Sequence, residues 1–189
     1  LDDRIRQVSQ DRIRQVFDLA PIFKPLKIVC HPSFDERYYV SCDDLWLENS
    51  VRFWTELIDV ARASNVVVAL ENVYEKSPDI LRRLFERITC DHLCFCFDTG
   101  HFNVFARSPL KAWVTQMGRY IGHLHLHDNF GKFDEHLPVG SATFPFDELF
   151  DALKILNVKP TFTLEAHSQD HLWQSLNNVK AMRLLERLD

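Results

Sequence analysis

Residues 93–101 read LCFCFDTGH. In a β-strand successive side chains point to opposite faces, so Cys94, Cys96 and Asp98 share one side and Leu93, Phe95 and Phe97 the other. Small groups on one face, large apolar groups on the other and a carboxylate at the end describe a strand buried on both sides that finishes on a functional group. Two further runs keep the same phase. Val67, Ala69 and Glu71 alternate with Val68 and Leu70, and Thr161, Thr163 and Glu165 alternate with Phe162 and Leu164. A fourth run lies in residues 120–136, YIGHLHLHDNFGKFDEH, which hold four of the nine histidines. There His123, His125 and His127 share a face opposite Leu124 and Leu126. Leu26–His31, closed by Pro32, is the remaining strand.

Amphipathic segments separate these runs. Residues 2–19 predict a helix with Ile5, Val8, Val16 and Phe17 on or near one face, broken by Pro21 and Pro25. Residues 43–64 predict another, with Leu47, Val51, Trp54, Leu57 and Ile58 as its apolar stripe. Ser77-Pro78 and Ser108-Pro109 each place a capping serine before a first-turn proline, starting helices that run to about Ile88 and Tyr120. Phe146–Leu156 and residues 170–188 complete the set. Continuous apolar strands alternating with amphipathic helices predict an α/β fold with a parallel sheet covered by helices. Small residues toward an axis and ligand-type residues at the strand ends select a (β/α)8 TIM-type barrel. An open dinucleotide-binding sheet requires a GxGxxG turn after its first strand, and none of the five glycines forms one.

The 189 residues, 46% hydrophobic and 12% aromatic, are read as one domain, 1–189, with a sizeable core. A net charge of −5 provides no bulk attraction to nucleic acid or anionic membrane, and no apolar run is long enough to span a bilayer. Five cysteines without CxxC spacing predict reduced thiols, as in a cytoplasmic protein. No GxSxG elbow supports a serine nucleophile.

The chemistry lies at the strand ends. His31, Glu71, Asp98, His125 or His127, and Glu165 are all residues that bind metal, and each follows its strand at the same end. His101 comes three residues after Asp98, and Asp134-x-His136 follows the fourth strand. Mixed imidazole and carboxylate donors suit zinc or manganese. His92 precedes its strand and is expected at the opposite end, while His167 is placed to line the rim.

These residues resemble the xylose isomerase-like barrel superfamily, which includes sugar isomerases and epimerases and apurinic endonuclease IV. The resemblance runs from about Cys30 to the C-terminus through HP at 31–32, EN at 71–72, DTGH at 98–101, HLHD at 125–128, DEH at 134–136 and TLE at 163–165. It implies that the chain covers the last five strand–helix units of the barrel and lacks its N-terminal strands. It also implies a divalent cofactor of one to three ions. One ion is held by Glu71, Asp98, His125 and Glu165, another by His101, Asp134 and His136, and a third by His31 with Glu71. Glu71 and Glu165 are then the catalytic pair of an isomerase or epimerase, with Asn72 near a sugar or polyol substrate and His127 either behind the metal ligands or touching that substrate. Cleavage of abasic DNA by a multi-zinc site is the lesser alternative, and a non-catalytic metal-binding barrel or an oligomer remains open. The stretch after Asp134-x-His136, LPVGSATF, departs from the glycine-rich continuation of the endonuclease branch.

Overall fold

A computed structural model describes residues 2–188. Helix α1 (Asp3–Phe17) is capped by the Asp2 carboxylate, which accepts from the backbone N–H groups of Arg4 and Ile5. A one-turn helix, α2 (Ala20–Phe23), follows with Pro21 in its first turn, so this proline starts a helix as well as ending the preceding one. Five strand–helix units come next. Strand β1 (Lys27–Cys30) leads to α3 (Asp43–Ala63), β2 (Val67–Glu71) to α4 (Asp79–Arg87), and β3 (Leu93–Asp98) to α5 (Thr99–Phe105) and α6 (Leu110–Met117). Strand β4 (Ile121–Leu126) precedes α7 (Phe146–Ile155), and β5 (Thr161–Leu164) precedes α8 (Gln169–Ala181).

All neighbouring strands pair in parallel, in the sequential order β1-β2-β3-β4-β5. Sequential order with no reversal lacks the switch point of an open doubly wound sheet. The strands form a curled half-barrel, as the strand-end phase predicts. Lys27 Nζ donates to Thr161 Oγ1 at 2.9 Å, joining the first strand to the last across the concave face.

The alternation has the expected result. Val68, Leu70, Phe95, Phe97 and Leu124 are fully buried against the helices. There they meet Trp54, Leu57 and Ile58 from α3, Leu81, Leu84 and Phe85 from α4, and Trp113 from α6. Burying one such side chain contributes roughly 1.5–3 kcal/mol, so this layer holds the sheet's curvature and fixes the strand ends. The concave face carries the small and polar residues.

Four local differences from the sequence expectations have physical causes. The buried residues of α1 are Gln10 and Phe17, and Gln10 reaches Glu56 of α3. Ile5, Val8 and Val16 are exposed, because no further strand–helix unit packs on that side among the described residues. Helix α5, unforeseen, begins directly after Asp98, whose carboxylate caps it by accepting from His101 N–H at 2.6 Å. Ser108 donates to Lys76 O rather than capping α6. The last helix ends at Ala181, and Arg183 takes a left-handed φ of 54° before a short turn at Glu186–Leu188.

Candidate metal centre

The strand ends converge. Glu71, at the end of β2, is 2% exposed and lies among three imidazoles. His31 Nε2 is 3.3 Å from its Oε2, and His101 Nδ1 and His125 Nδ1 are each 3.2 Å from its Oε1. His125 Nδ1 is also 3.1 Å from Glu165 Oε2 and 3.7 Å from Asp98 Oδ2. Parallel pairing sets this up, since Asp98 and His125 are register partners and His125 pairs with Thr163, two residues before Glu165. One donor atom from each of Glu71, Asp98, His125 and Glu165 falls within 4.8 Å of the others.

A second group forms around Asp134. Its Oδ2 is 3.3 Å from His101 Nε2 and 3.1 Å from His136 Nε2. The loop carrying this carboxylate is folded back by a two-way backbone bridge between Asp128 and Leu137. His136 takes a left-handed φ of 49°, a conformation that is costly for a side chain with Cβ and is retained where surrounding contacts impose it. His167 stacks on the His136 ring at 3.9 Å, on the rim as expected. His92 hydrogen-bonds Val66 O at the other end of the sheet, and His123 sits deeper, between Thr161 Oγ1 and Thr163 Oγ1.

Carboxylates and imidazoles set one another's charge in this site. Burial alone raises the Glu71 carboxyl, but hydrogen bonds from His101, His125 and His31 outweigh it and hold the group well below the usual range. Burial lowers His101, yet Asp134 and Glu71 push it up to about 11. His125 is likewise raised, with Cys96, Glu165 and Glu71 overcoming burial. Asp98, fully buried, is raised by desolvation, which its contact with His127 opposes. Within this cluster Asp134 Oδ1 is buried without a hydrogen-bond partner, and Glu165 Oε2 has the His125 nitrogen at 3.1 Å, which Glu71 shares. An unpaired buried acceptor among imidazoles is what a cation would satisfy, so the residues fit a divalent metal.

Asn72 and His127 are both held by neighbouring protein groups. The Asn72 amide grips the backbone of Asp98, donating to its carbonyl at 3.1 Å and accepting from its N–H at 2.9 Å. The His127 ring is 1% exposed and lies against the Asp98 carboxylate. Sequence reasoning passed over Asp128, whose buried carboxylate accepts from the backbone N–H groups of Asn129, Ala142 and Phe144 and so ties down the loop that carries Asp134. It also passed over Glu75. That side chain is 2% exposed, accepts from Val73 N–H through Oε2, and leaves Oε1 unpaired. Burial pushes its carboxyl up to about 7. Nothing in the local sequence marks either role.

The Glu75 environment gives a direct expectation. A carboxyl raised above its unfolded value loses stability as pH rises through the folded value. Glu75→Gln therefore raises the melting temperature at pH 8, by up to about 3 kcal/mol in stability, and changes it little at pH 4.5. A variant no more stable than wild type at pH 8 contradicts the burial of an ionised group there.

Residues 1–188 match the family model described as the xylose isomerase-like TIM barrel. The chain belongs to that family. It is 26% identical over 173 residues to the uncharacterized protein MJ1311 of Methanocaldococcus jannaschii, covering 87% of this chain and 59% of that protein. The chain thus spans about three fifths of that relative's length. Among solved structures, a D-tagatose 3-epimerase-like protein superposes with a TM-score of 0.84 at 24% identity, covering all of this chain and 72% of the other. The IOLI protein with a bound zinc atom superposes with a TM-score of 0.76 at 18% identity, covering all of this chain and 71% of the other. At 24% and 18% identity these two likenesses are likenesses of fold.

Proposed function

We propose that this chain carries the metal centre of a divalent-metal-dependent isomerase or epimerase acting on a sugar or related polyol. One observation carries the reading. Glu71 and Glu165, from strand ends three positions apart in the sheet, approach the same nitrogen of His125 at 3.2 and 3.1 Å, with Asp98 completing the cluster. Glu71, Asp98, His125 and Glu165 would hold one ion, zinc or manganese. When bound, such an ion polarises a carbonyl and its neighbouring hydroxyl.

The chain's own groups supply the rest. Glu71 reaches the site from the β2 side and Glu165 from the β5 side, so a small ketose between them presents one carbon to both carboxylates. One carboxylate removes the proton next to the carbonyl, and the other, carrying a proton of its own, donates that proton to the opposite face, which inverts the carbon. Hydrogen bonds from imidazoles hold Glu71 and Glu165 below the ordinary carboxylate range, so either can serve as the base, and its partner must take up a proton before it acts as the acid. His101, Asp134 and His136 would form an outer position, with His31 reaching Glu71 from the rim.

This outer group also supports a second reading, a zinc phosphodiesterase that acts on abasic DNA. Two measurements separate the readings. An isomerase centre predicts one exchangeable manganese or zinc per chain that is required for turnover, together with deuterium uptake from solvent next to a ketose carbonyl. More than one zinc, with cleavage of abasic DNA that survives moderate salt, favours the phosphodiesterase and overturns the proposal.

A further inference from the structure

The DTGH and HLHD motifs end neighbouring strands, and the side chain that joins them is His127. Its Nε2 is 3.1 and 3.0 Å from the two oxygens of Asp98. Its ring stacks face to face on His136, with centroids 3.9 Å apart and planes 3° from parallel. Nδ1 is buried, has no hydrogen-bond partner and faces Asp134 Oδ1 at 3.6 Å, itself unpartnered. The backbone is fixed as well, since His127 N–H donates to Thr99 Oγ1 at 3.1 Å and that hydroxyl donates to His127 O at 2.7 Å. Asn129 Nδ2 adds a bond to Gly100 O.

Room for the ring comes from Gly100. A Cβ there would lie 2.0 Å from His127 Cε1 and 2.4 Å from Nδ1. Gly100 sits in the regular helix α5, so the glycine is required by space and not by backbone conformation. Any side chain at residue 100 must expel the imidazole or move the helix.

We propose that His127 is a positioning residue that orients Asp98 toward the inner ion and sets its distance from Asp134, and that Gly100 is the cradle that admits it. The proposal rests on the metal reading above. A neutral imidazole has one N–H. Spending it on Asp98 leaves that carboxylate with a fixed partner on each oxygen and one defined direction toward His125 and Glu71. Carboxylates and imidazoles behind a metal position typically change its affinity 10- to 100-fold when removed.

The test is zinc and manganese binding to the purified chain, measured by chelator competition, with the melting temperature of the metal-free protein as companion. His127→Ala is expected to weaken the ion about 10- to 100-fold, and His127→Gln, whose amide can donate to Asp98, to recover part of the loss. Gly100→Ala alone should mimic His127→Ala. In the His127→Ala background the added methyl has space, so the double variant should bind no worse than the single one, a coupling that independent sites do not show. A purely packing role would lower the metal-free melting temperature and leave affinity within twofold of wild type, and that result overturns the proposal. Additive losses from the two substitutions overturn it too. A wild-type chain that binds neither metal overturns this inference and the metal reading together, whereas wild-type binding unaffected by either change overturns this one alone.

Discussion

Glu71→Gln is expected to lower divalent-metal affinity by at least about 10²-fold and to abolish metal-dependent turnover. The substitution keeps shape and removes charge, at a position where charge matters most. Glu71 is 2% exposed and touches His31, His101 and His125 at 3.2–3.3 Å. Removing one partner of a buried ionic cluster costs about 3–5 kcal/mol, because the remaining charges stay desolvated, and each 1.4 kcal/mol is tenfold in affinity. Glu165→Gln should weaken metal less, since its side chain is 36% exposed and water can replace part of its role, yet cost about 10²–10⁴-fold in turnover if it transfers the proton. Chelator competition and steady-state kinetics on both variants decide the matter. Glu71→Gln binding within threefold of wild type would remove this residue from the centre.

Much of this site was legible because strand phase is rigid. Once Val67, Ala69 and Glu71 share a face, and Cys94, Cys96 and Asp98 do likewise, parallel pairing must bring Glu71 and Asp98 to one end of the sheet, and register then adds His125. The strand bounds also follow from apolar runs that nothing interrupts. Three features escaped for different reasons. Helix α5 is seven residues long and begins directly after the functional residue Asp98, which caps it, so no apolar stripe announces it. The outward apolar face of α1 reads from sequence like any core stripe, because periodicity shows that a face is apolar and not what it meets. Asn72, Asp128 and His127 act on neighbouring strands and loops through contacts that span 14 to 29 residues. Their residue types look like ligands, and only the fold shows that Asn72 and Asp128 hold backbone while His127 holds Asp98.

Proton–metal competition supplies the remaining expectation: without metal, the chain should lose thermal stability as pH rises from 6 to 8.5, and saturating manganese should remove the histidine part of that slope. The sign follows from the histidines. His101 is pushed up to about 11 in the folded protein and His125 is also raised, against about 6.5 in the unfolded chain. A raised group contributes stability that is fully present below the unfolded value and is lost as pH rises through the folded one. Glu75, raised to about 7, loses stability in the same direction across this interval. Glu71 and Asp134 are depressed, so their contribution is complete above the unfolded carboxylate values and is lost only in acid, outside the range measured. Each raised histidine contributes a slope of about 1.4 kcal/mol per pH unit while it remains protonated in the fold alone. Bound metal requires the same imidazoles without their protons, so binding releases protons, affinity climbs with pH, and the histidine part of the slope vanishes. In the Glu75→Gln background the manganese-bound protein should then lose no stability between pH 6 and 7.5, since His123, lowered to about 4 by burial, works in the opposite direction. A metal-free melting temperature that holds steady or rises from pH 6 to 8.5 would show that the carboxylates do not hold these histidines charged.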